Sequence, residues 1–251
     1  GTYEDCKDAG IVVITAGVNQ KEGETRIQLL NRNATIIKSV VKNIMSSGFN
    51  GIMIVASNPV DVLTYVAQKE SGLPSSRVIG SGTSLDTARL RYEISQLIHI
   101  DTRNVHAYIL GEHGDSEFVC WSNANIGAKP LKDVINSMEE ITFEDLDKIY
   151  LKVRDAAYEI IKRKKATYYG VGMALVKITT AIFNNENRIL PISVLNNGVY
   201  DCEDEVYIGL PSVVNRDGVH HIVKLELSDD EKLKLQKSAT ILRNSLESIG
   251  Y

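Results

Sequence analysis

The sequence predicts an α/β protein, with an open parallel sheet in the first third and a mixed α+β domain after it. Up to Gly80, short continuous apolar runs alternate with helical periodicity. Strands buried on both faces, as in parallel sheets, have this appearance. From about Ser81 the single alternation of strand and helix is lost, and pairs of strands follow runs of helix. The division therefore falls at residues 1–80 and 81–251.

Ile11-Val12-Val13-Ile14 reads as the first strand, buried on both faces. It ends in Thr15-Ala16-Gly17, whose small side chains let a ligand approach the backbone. The polar stretch from Val18 to Arg26 reads as a connection that can serve as a mobile lid carrying Arg26. Leu30, Ala34, Ile37, Val41 and Ile44 form one helical stripe closed by Ser46-Ser47-Gly48. Gly51 to Ala56 is the second strand. Asn58 then suits a helix cap, with Pro59 in the first turn. Val78-Ile79 is a third strand, ending at Gly80-Ser81-Gly82. Ligands bind at the carboxyl ends of such strands, where Gly17, Asn58 and Ser81 all lie.

In the second part a helix is expected from about Asp86 to Ile98, a strand over Val105 to Leu110 and an apolar stretch near Trp121. Thr142 and Asp145 suit a capping box for a long helix to about Lys164. Thr167 to Phe183 reads as another helix. Strands are expected near 189–195, 206–214 and 219–225, with a hairpin turn at Arg216-Asp217-Gly218. Ser228 and Glu231 cap a last amphipathic helix.

Composition excludes several classes of function. The 251 residues carry a net charge of −4, so no global basic field attracts nucleic acid. The basic run Lys162 to Lys165 reads as favourable charge at a helix C-terminus. No apolar stretch reaches the ~18–20 residues of a membrane span, and no signal-peptide pattern opens the chain. Cys6, Cys120 and Cys202 are widely spaced, which suits a reducing cytoplasm and offers no metal-type pairing.

The chemistry centres on Gly111-Glu112-His113-Gly114-Asp115, at the end of the Val105 to Leu110 run. Glycines close to either side leave His113 free to point into a cleft. Leu85-Asp86-Thr87-Ala88-Arg89 supplies a carboxylate and a guanidinium. Together these groups can orient a proton donor and hold a small carboxylic acid beside it.

These motifs, with Ile14 to Gly17, Gly23-Glu24-Thr25-Arg26, Asn58-Pro59-Val60-Asp61 and Ser81-Gly82-Thr83, resemble those of the NAD-dependent L-lactate dehydrogenase family along essentially the whole chain. The resemblance implies a partial Rossmann-type sheet followed by a substrate domain, NAD as cofactor, and pyruvate and L-lactate as substrates. It makes His113 the proton donor in reduction, Asp86 its hydrogen-bond partner and Arg26 the lid residue that polarises the ketone. Arg89 grips the substrate carboxylate, while Asn58 and Thr167 line the substrate pocket. Ala16, Gly17, Asn58, Ser81 and Val171 meet the cofactor. Gln20 stands where malate dehydrogenases carry an arginine, which favours pyruvate over oxaloacetate. Arg91 and His106 match the positions that bind fructose 1,6-bisphosphate in activated bacterial enzymes. The resemblance further implies a cytoplasmic homotetramer, without nucleic-acid or membrane partners.

No Gly-x-Gly-x-x-Gly turn opens the chain, although the family carries one after its first strand. Residue 1 falls just before the family's fourth strand. The expectation is a fragment or incomplete record of a full enzyme, with negligible cofactor binding and poor solubility in isolation. The rival expectations are another 2-hydroxy-acid dehydrogenase, of malate or branched-chain type, and a catalytically silent chain that only assembles with full-length subunits.

Overall fold

The structure, a computed structural model, describes residues 1–19, 23–164, 167–202 and 204–251. Of the helical residues, the side chains of Arg26, Tyr158, Ile161, Lys164 and Asp201 lie outside that description.

The first part reads β1 (Ile11–Ile14), α1 (Arg26–Ser46), β2 (Ile52–Val55), α2 (Val60–Ser71) and β3 (Val78–Gly80). The three strands are parallel, with Ile11 opposite Ile52 and Met53 opposite Val78. The stripe expected on α1 is its buried face: Leu30, Ala34, Ile37, Val41 and Ile44 all sit in the core. Thr25 caps the helix by a reciprocal pair of bonds. Its hydroxyl accepts the Gln28 amide at 3.2 Å, and its own amide donates to Gln28 Oε1 at 2.9 Å.

The second part opens with α3 (Ser84–Leu97), followed by the short strands β4 (Val105–His106), β5 (Ile109–Leu110), β6 (Phe118–Val119), β7 (Asn125–Ile126) and β8 (Lys129–Pro130). Then come α4 (Leu131–Asn136), α5 (Phe143–Lys164), α6 (Tyr169–Phe183), β9 (Arg188–Leu195), β10 (Tyr207–Asn215), β11 (Gly218–Ile222) and α7 (Asp229–Glu247). The capping box expected at Ser228 and Glu231 is present, while at Thr142 only the half in which Asp145 accepts is formed, the Thr142 hydroxyl donating to Asp145 Oδ2 at 2.9 Å. Asp145 Oδ2 accepts the Thr142 amide at 3.0 Å, and Ser228 Oγ accepts the Glu231 amide at 3.3 Å.

The two parts share one sheet. Among the described residues its order is β1-β2-β3-β9-β10-β11, parallel through β3 and antiparallel beyond it. The junction between β3 and β9 requires glycine at position 80. A side chain there would stand 2.5 Å from Thr64 Oγ1 and 2.6 Å from Ser193 Cβ. The larger hydrophobic core runs through this sheet and reaches α1, α2 and α7. A smaller core gathers Leu90, Ile94, Val105, Ile109, Leu131 and Val153 around α3 and α5.

Four local expectations are corrected. The run Val105 to Leu110 is two short strands in different sheets, because the Ala107 carbonyl between them accepts from Arg91 Nε at 2.9 Å. Asn58 does not cap α2. Pro59 holds that position with no side-chain cap bond, and the Asn58 carbonyl instead accepts from Asn33 Nδ2 at 3.3 Å. Of β1 only Ile14 is buried, since the strand is at the sheet edge and pairs with β2 alone among the described residues. Helix α6 starts at Tyr169, two residues after Thr167.

Candidate active site

The site lies where the β5–β6 connection crosses the ends of β10 and α2. Gly111 and Gly209 exchange backbone hydrogen bonds of 3.1 and 2.9 Å. Gly111 has φ +96°, a left-handed conformation that glycine adopts without a Cβ clash. A side chain at Gly209 would stand 2.8 Å from the Gly111 carbonyl. Two hydroxyls of α3's first turns fix the strand below. Thr83 Oγ1 donates to the Ile109 carbonyl at 2.6 Å, and Thr87 Oγ1 accepts the Ile109 amide at 3.0 Å. Above, Ser238 Oγ on α7 accepts the Glu112 amide at 2.7 Å. His113 therefore stands on a loop tied to three separate elements.

Its ring is fixed as firmly. His113 Nδ1 lies 2.7 Å from Asp86 Oδ2, which leaves Nε2 to the substrate side. Arg89 Nη1 donates to Asp86 Oδ1 at 3.4 Å, so both oxygens of this buried carboxylate have partners. Burial opposes the charge on His113, but Asp86 overrides it, and Glu117 and Asp61 add to the pull, lifting the imidazole to about 9. Burial likewise opposes the charge on Asp86. The His113 and Arg89 cations overcome it and hold that carboxyl below its ordinary value. The pair is thus a stable imidazolium–carboxylate couple at neutral pH.

A cleft of about 760 Å³ opens over this pair. Ile27, Leu30, Pro59 and Val62 give it an apolar side, and Asn58, Asp86 and His113 a polar one. Such a mixture suits a flat, largely apolar nicotinamide ring lying beside a small polar acid. At the same sheet edge the loop after β1 is held by Asn33, whose Oδ1 accepts the Val18 amide at 2.9 Å, and by Ser57, whose hydroxyl donates to the Ala16 carbonyl at 2.6 Å.

The sequence-derived site residues divide into groups. Asn58, Asp86 and His113 line the cleft, and Arg89 stands behind Asp86. Ala16, Gly17 and Ser81 lie at the carboxyl ends of β1 and β3, outside that cleft. Thr167 and Val171 flank the start of α6, also outside it. Arg26 opens α1, with its side chain outside the described residues, and Gln20 lies outside them altogether. Arg91 stacks on the Tyr108 ring at 4.7 Å, close to the exposed His106 on β4.

Two buried acids were not legible as site residues. Asp61 Oδ2 accepts the His113 backbone amide at 2.8 Å, and its Oδ1 accepts from Ser193 Oγ at 2.5 Å. Burial raises Asp61 to about 6 against those two donors. Glu117 is pushed up to about 8, first by burial and then by the charge of Asp86. The available signals were slight: Asp61 follows Asn58-Pro59-Val60, and Glu117 is an acid directly before the apolar Phe118-Val119.

An α/β sheet with an imidazole–carboxylate couple beside a part-apolar cleft suits the class of nicotinamide-dependent dehydrogenases of small hydroxy acids, and the comparisons with known proteins show that class. The sequence matches the model of the lactate/malate dehydrogenase NAD binding domain over residues 1–80, and that of the lactate/malate dehydrogenase alpha/beta C-terminal domain over residues 83–250. It is 54% identical over 249 residues to L-lactate dehydrogenase 2 of Bacillus cereus, covering 99% of this chain and 79% of that protein. A crystal structure of a lactate dehydrogenase from a Medee basin deep-sea metagenome library superposes with a TM-score of 0.98 at 81% identity, over 100% of this chain and 80% of that one. The minor L-lactate dehydrogenase of Enterococcus mundtii, in its ligands-bound form, superposes with a TM-score of 0.96 at 50% identity, over 99% of this chain and 79% of that one. The chain belongs to the lactate/malate dehydrogenase family.

Proposed function

We propose that this chain carries the substrate-handling and proton-transfer machinery of an NAD-dependent L-lactate dehydrogenase, reducing pyruvate to L-lactate reversibly. The observation that carries this is the 2.7 Å His113–Asp86 couple facing a cleft lined by Asn58. When bound, NADH supplies the hydride that the ketone carbon receives. His113 Nε2 gives its proton to the oxygen of that ketone, because negative charge develops there and an imidazolium is matched to it. Asp86 holds the ring in one orientation and stabilises its charged form. Arg89 provides the two-pronged guanidinium that a carboxylate needs. Arg26 and Thr167 complete the pocket, and Ala16, Gly17, Ser81 and Val171 meet the cofactor. In lactate oxidation the steps reverse, with neutral His113 accepting the hydroxyl proton.

We assign residues 1–80 to cofactor binding and 81–251 to catalysis. Gln20 favours pyruvate over oxaloacetate, since a neutral amide leaves a second carboxylate unpaired in a closed site. Initial rates with NADH and pyruvate, oxaloacetate or branched 2-oxo acids test this. Pyruvate should be preferred, and a preference for oxaloacetate would assign the chain to malate chemistry instead.

Arg91 and His106 form the second part of the proposal, a site for the phosphates of fructose 1,6-bisphosphate in a homotetramer. What supports it is the placement of an arginine and an exposed histidine on adjoining elements. The pyruvate KM should fall when the bisphosphate is added, and an unchanged KM would remove the assignment. The free thiols of Cys6, Cys120 and Cys202 suit a cytoplasmic setting. No described helix is long and apolar enough to cross a membrane.

A further inference from the structure

Two buried side-chain oxygens lack a hydrogen-bond partner among the described residues, Gln68 Oε1 and Glu117 Oε1. Only the second belongs to an ionisable group, and it stands beside the proton-transfer couple. Glu117 is 4% exposed. Asp86, His113 and Glu117 each place a polar atom within 4.8 Å of the others. Two carboxyl groups therefore face one imidazole.

Their surroundings are unequal. Asp86 has a donor on each oxygen, His113 on Oδ2 and Arg89 on Oδ1. From α5, Tyr150 spends its hydroxyl on the Glu117 backbone carbonyl at 2.5 Å, and Arg154 pairs with Asp155 at 2.9 Å. From α2, Asp61 holds the His113 main chain and adds a further acid to the surroundings. A second buried anion at Glu117 would lie beside Asp86 with no donor on Oε1, a costly arrangement. A divalent cation could bridge the same three groups, but the Arg89 guanidinium already sits on Asp86. A proton is the occupant these charges favour.

We propose that Glu117 is kept as a neutral carboxylic acid beside the His113–Asp86 couple and is a positioning residue that sets the acidity of the catalytic imidazole. This rests on His113 being the proton donor. With Glu117 neutral, His113 has one close counter-charge and releases its proton readily. When Glu117 ionises, a second negative charge holds that proton more tightly. Glu117→Gln fixes the neutral state at every pH. The imidazole should then titrate at lower pH than in the unsubstituted protein. The alkaline limb of pyruvate reduction and the acid limb of lactate oxidation should move down together.

The test is an NMR titration of the His113 ring protons in the unsubstituted chain, Glu117→Gln and Glu117→Met. The expected result is a midpoint lowered by about one pH unit in both variants, as befits loss of a nearby negative charge that favours the imidazolium. Infrared spectra at neutral pH should show a protonated carboxyl band that Glu117→Gln removes. Unchanged midpoints, or loss of an ionised carboxylate band instead, would overturn the proposal. Neither measurement uses cofactor or substrate. A preference for oxaloacetate over pyruvate alongside the shifted midpoints would thus count against the lactate assignment and leave the role of Glu117 standing.

Discussion

The His113 backbone amide donates to Asp61 Oδ2 at 2.8 Å, so this histidine is anchored through its main chain as well as its ring. Asp61→Ala leaves that amide and the Ser193 hydroxyl without their acceptor. A buried polar group stranded in this way costs about 1–3 kcal/mol. The expected outcome is a lower melting temperature and a roughly tenfold or greater loss of kcat. Asp61→Asn keeps one acceptor for the His113 amide, while its NH2 group donates to a Ser193 hydroxyl turned to accept, so its activity at neutral pH should stay near the original. Equal losses in the two variants, by steady-state rates and calorimetry, would show that the acceptor does not position His113.

Asp86→Asn should remove the charge that lifts His113 to about 9. Burial then acts unopposed by its nearest counter-charge, and the imidazole should titrate well below that value. Proton donation at neutral pH should fall by about 10²–10⁴-fold, the usual contribution of a positioned general acid. His113→Gln should lose a similar factor with the fold intact. An NMR titration together with rates across pH checks both.

Arg89→Lys keeps the charge but loses the planar fork. A charge-assisted hydrogen bond contributes about 1.5–3 kcal/mol, so the KM for pyruvate should rise roughly 10- to 100-fold. The kcat should change less. A change confined to kcat would place Arg89 with Asp86 rather than with the substrate.

Besides the window of Glu117, whose contribution is fully present below 4.5 and lost as pH passes 8, stability should fall with rising pH in two others. Asp61 is raised from 3.8 to about 6, so its contribution is fully present below 3.8 and lost as pH passes 6. His113 is raised from 6.5 to about 9, so its contribution is present below 6.5 and lost as pH passes 9. Asp61→Asn should flatten the first window and His113→Gln the second. Melting temperatures at intervals of pH resolve them, at about 2–4 °C per kcal/mol for a chain of this size.

Gly209→Ala would place a methyl group 2.8 Å from the Gly111 carbonyl. Relieving that contact must displace the loop bearing His113. A cost of about 1–3 kcal/mol is expected, as for overpacking elsewhere, together with reduced activity. A variant with unaltered melting temperature and rates would show that the glycine pair has slack.

The parts of this molecule that repeat or carry a motif were readable in advance. The α1 stripe declares itself by spacing, because one face of a helix must be apolar to be buried. His113 and Asp86 declare themselves because their chemistry demands both. Asp61 and Glu117 gave no comparable signal, since their importance comes from desolvation, which depends on elements far away in the chain. The break between β4 and β5 was hidden for a related reason. It arises where Arg91 takes the Ala107 carbonyl, and nothing in an apolar run announces a side chain arriving from another helix. Asn58 has the chemistry of a cap, yet its main-chain carbonyl is claimed by Asn33 and the residue lines the cleft.

The hydroxyl of Ser238 on α7 meets the Glu112 amide, one residue before His113. A ribosome delivers these two groups far apart in time. As the chain is synthesised from its N-terminus, Asp61, Asp86 and His113 all emerge well before the helix that finishes their scaffold. The nascent polypeptide should therefore lack the finished support of the His113 loop until α7 has left the exit tunnel and docked.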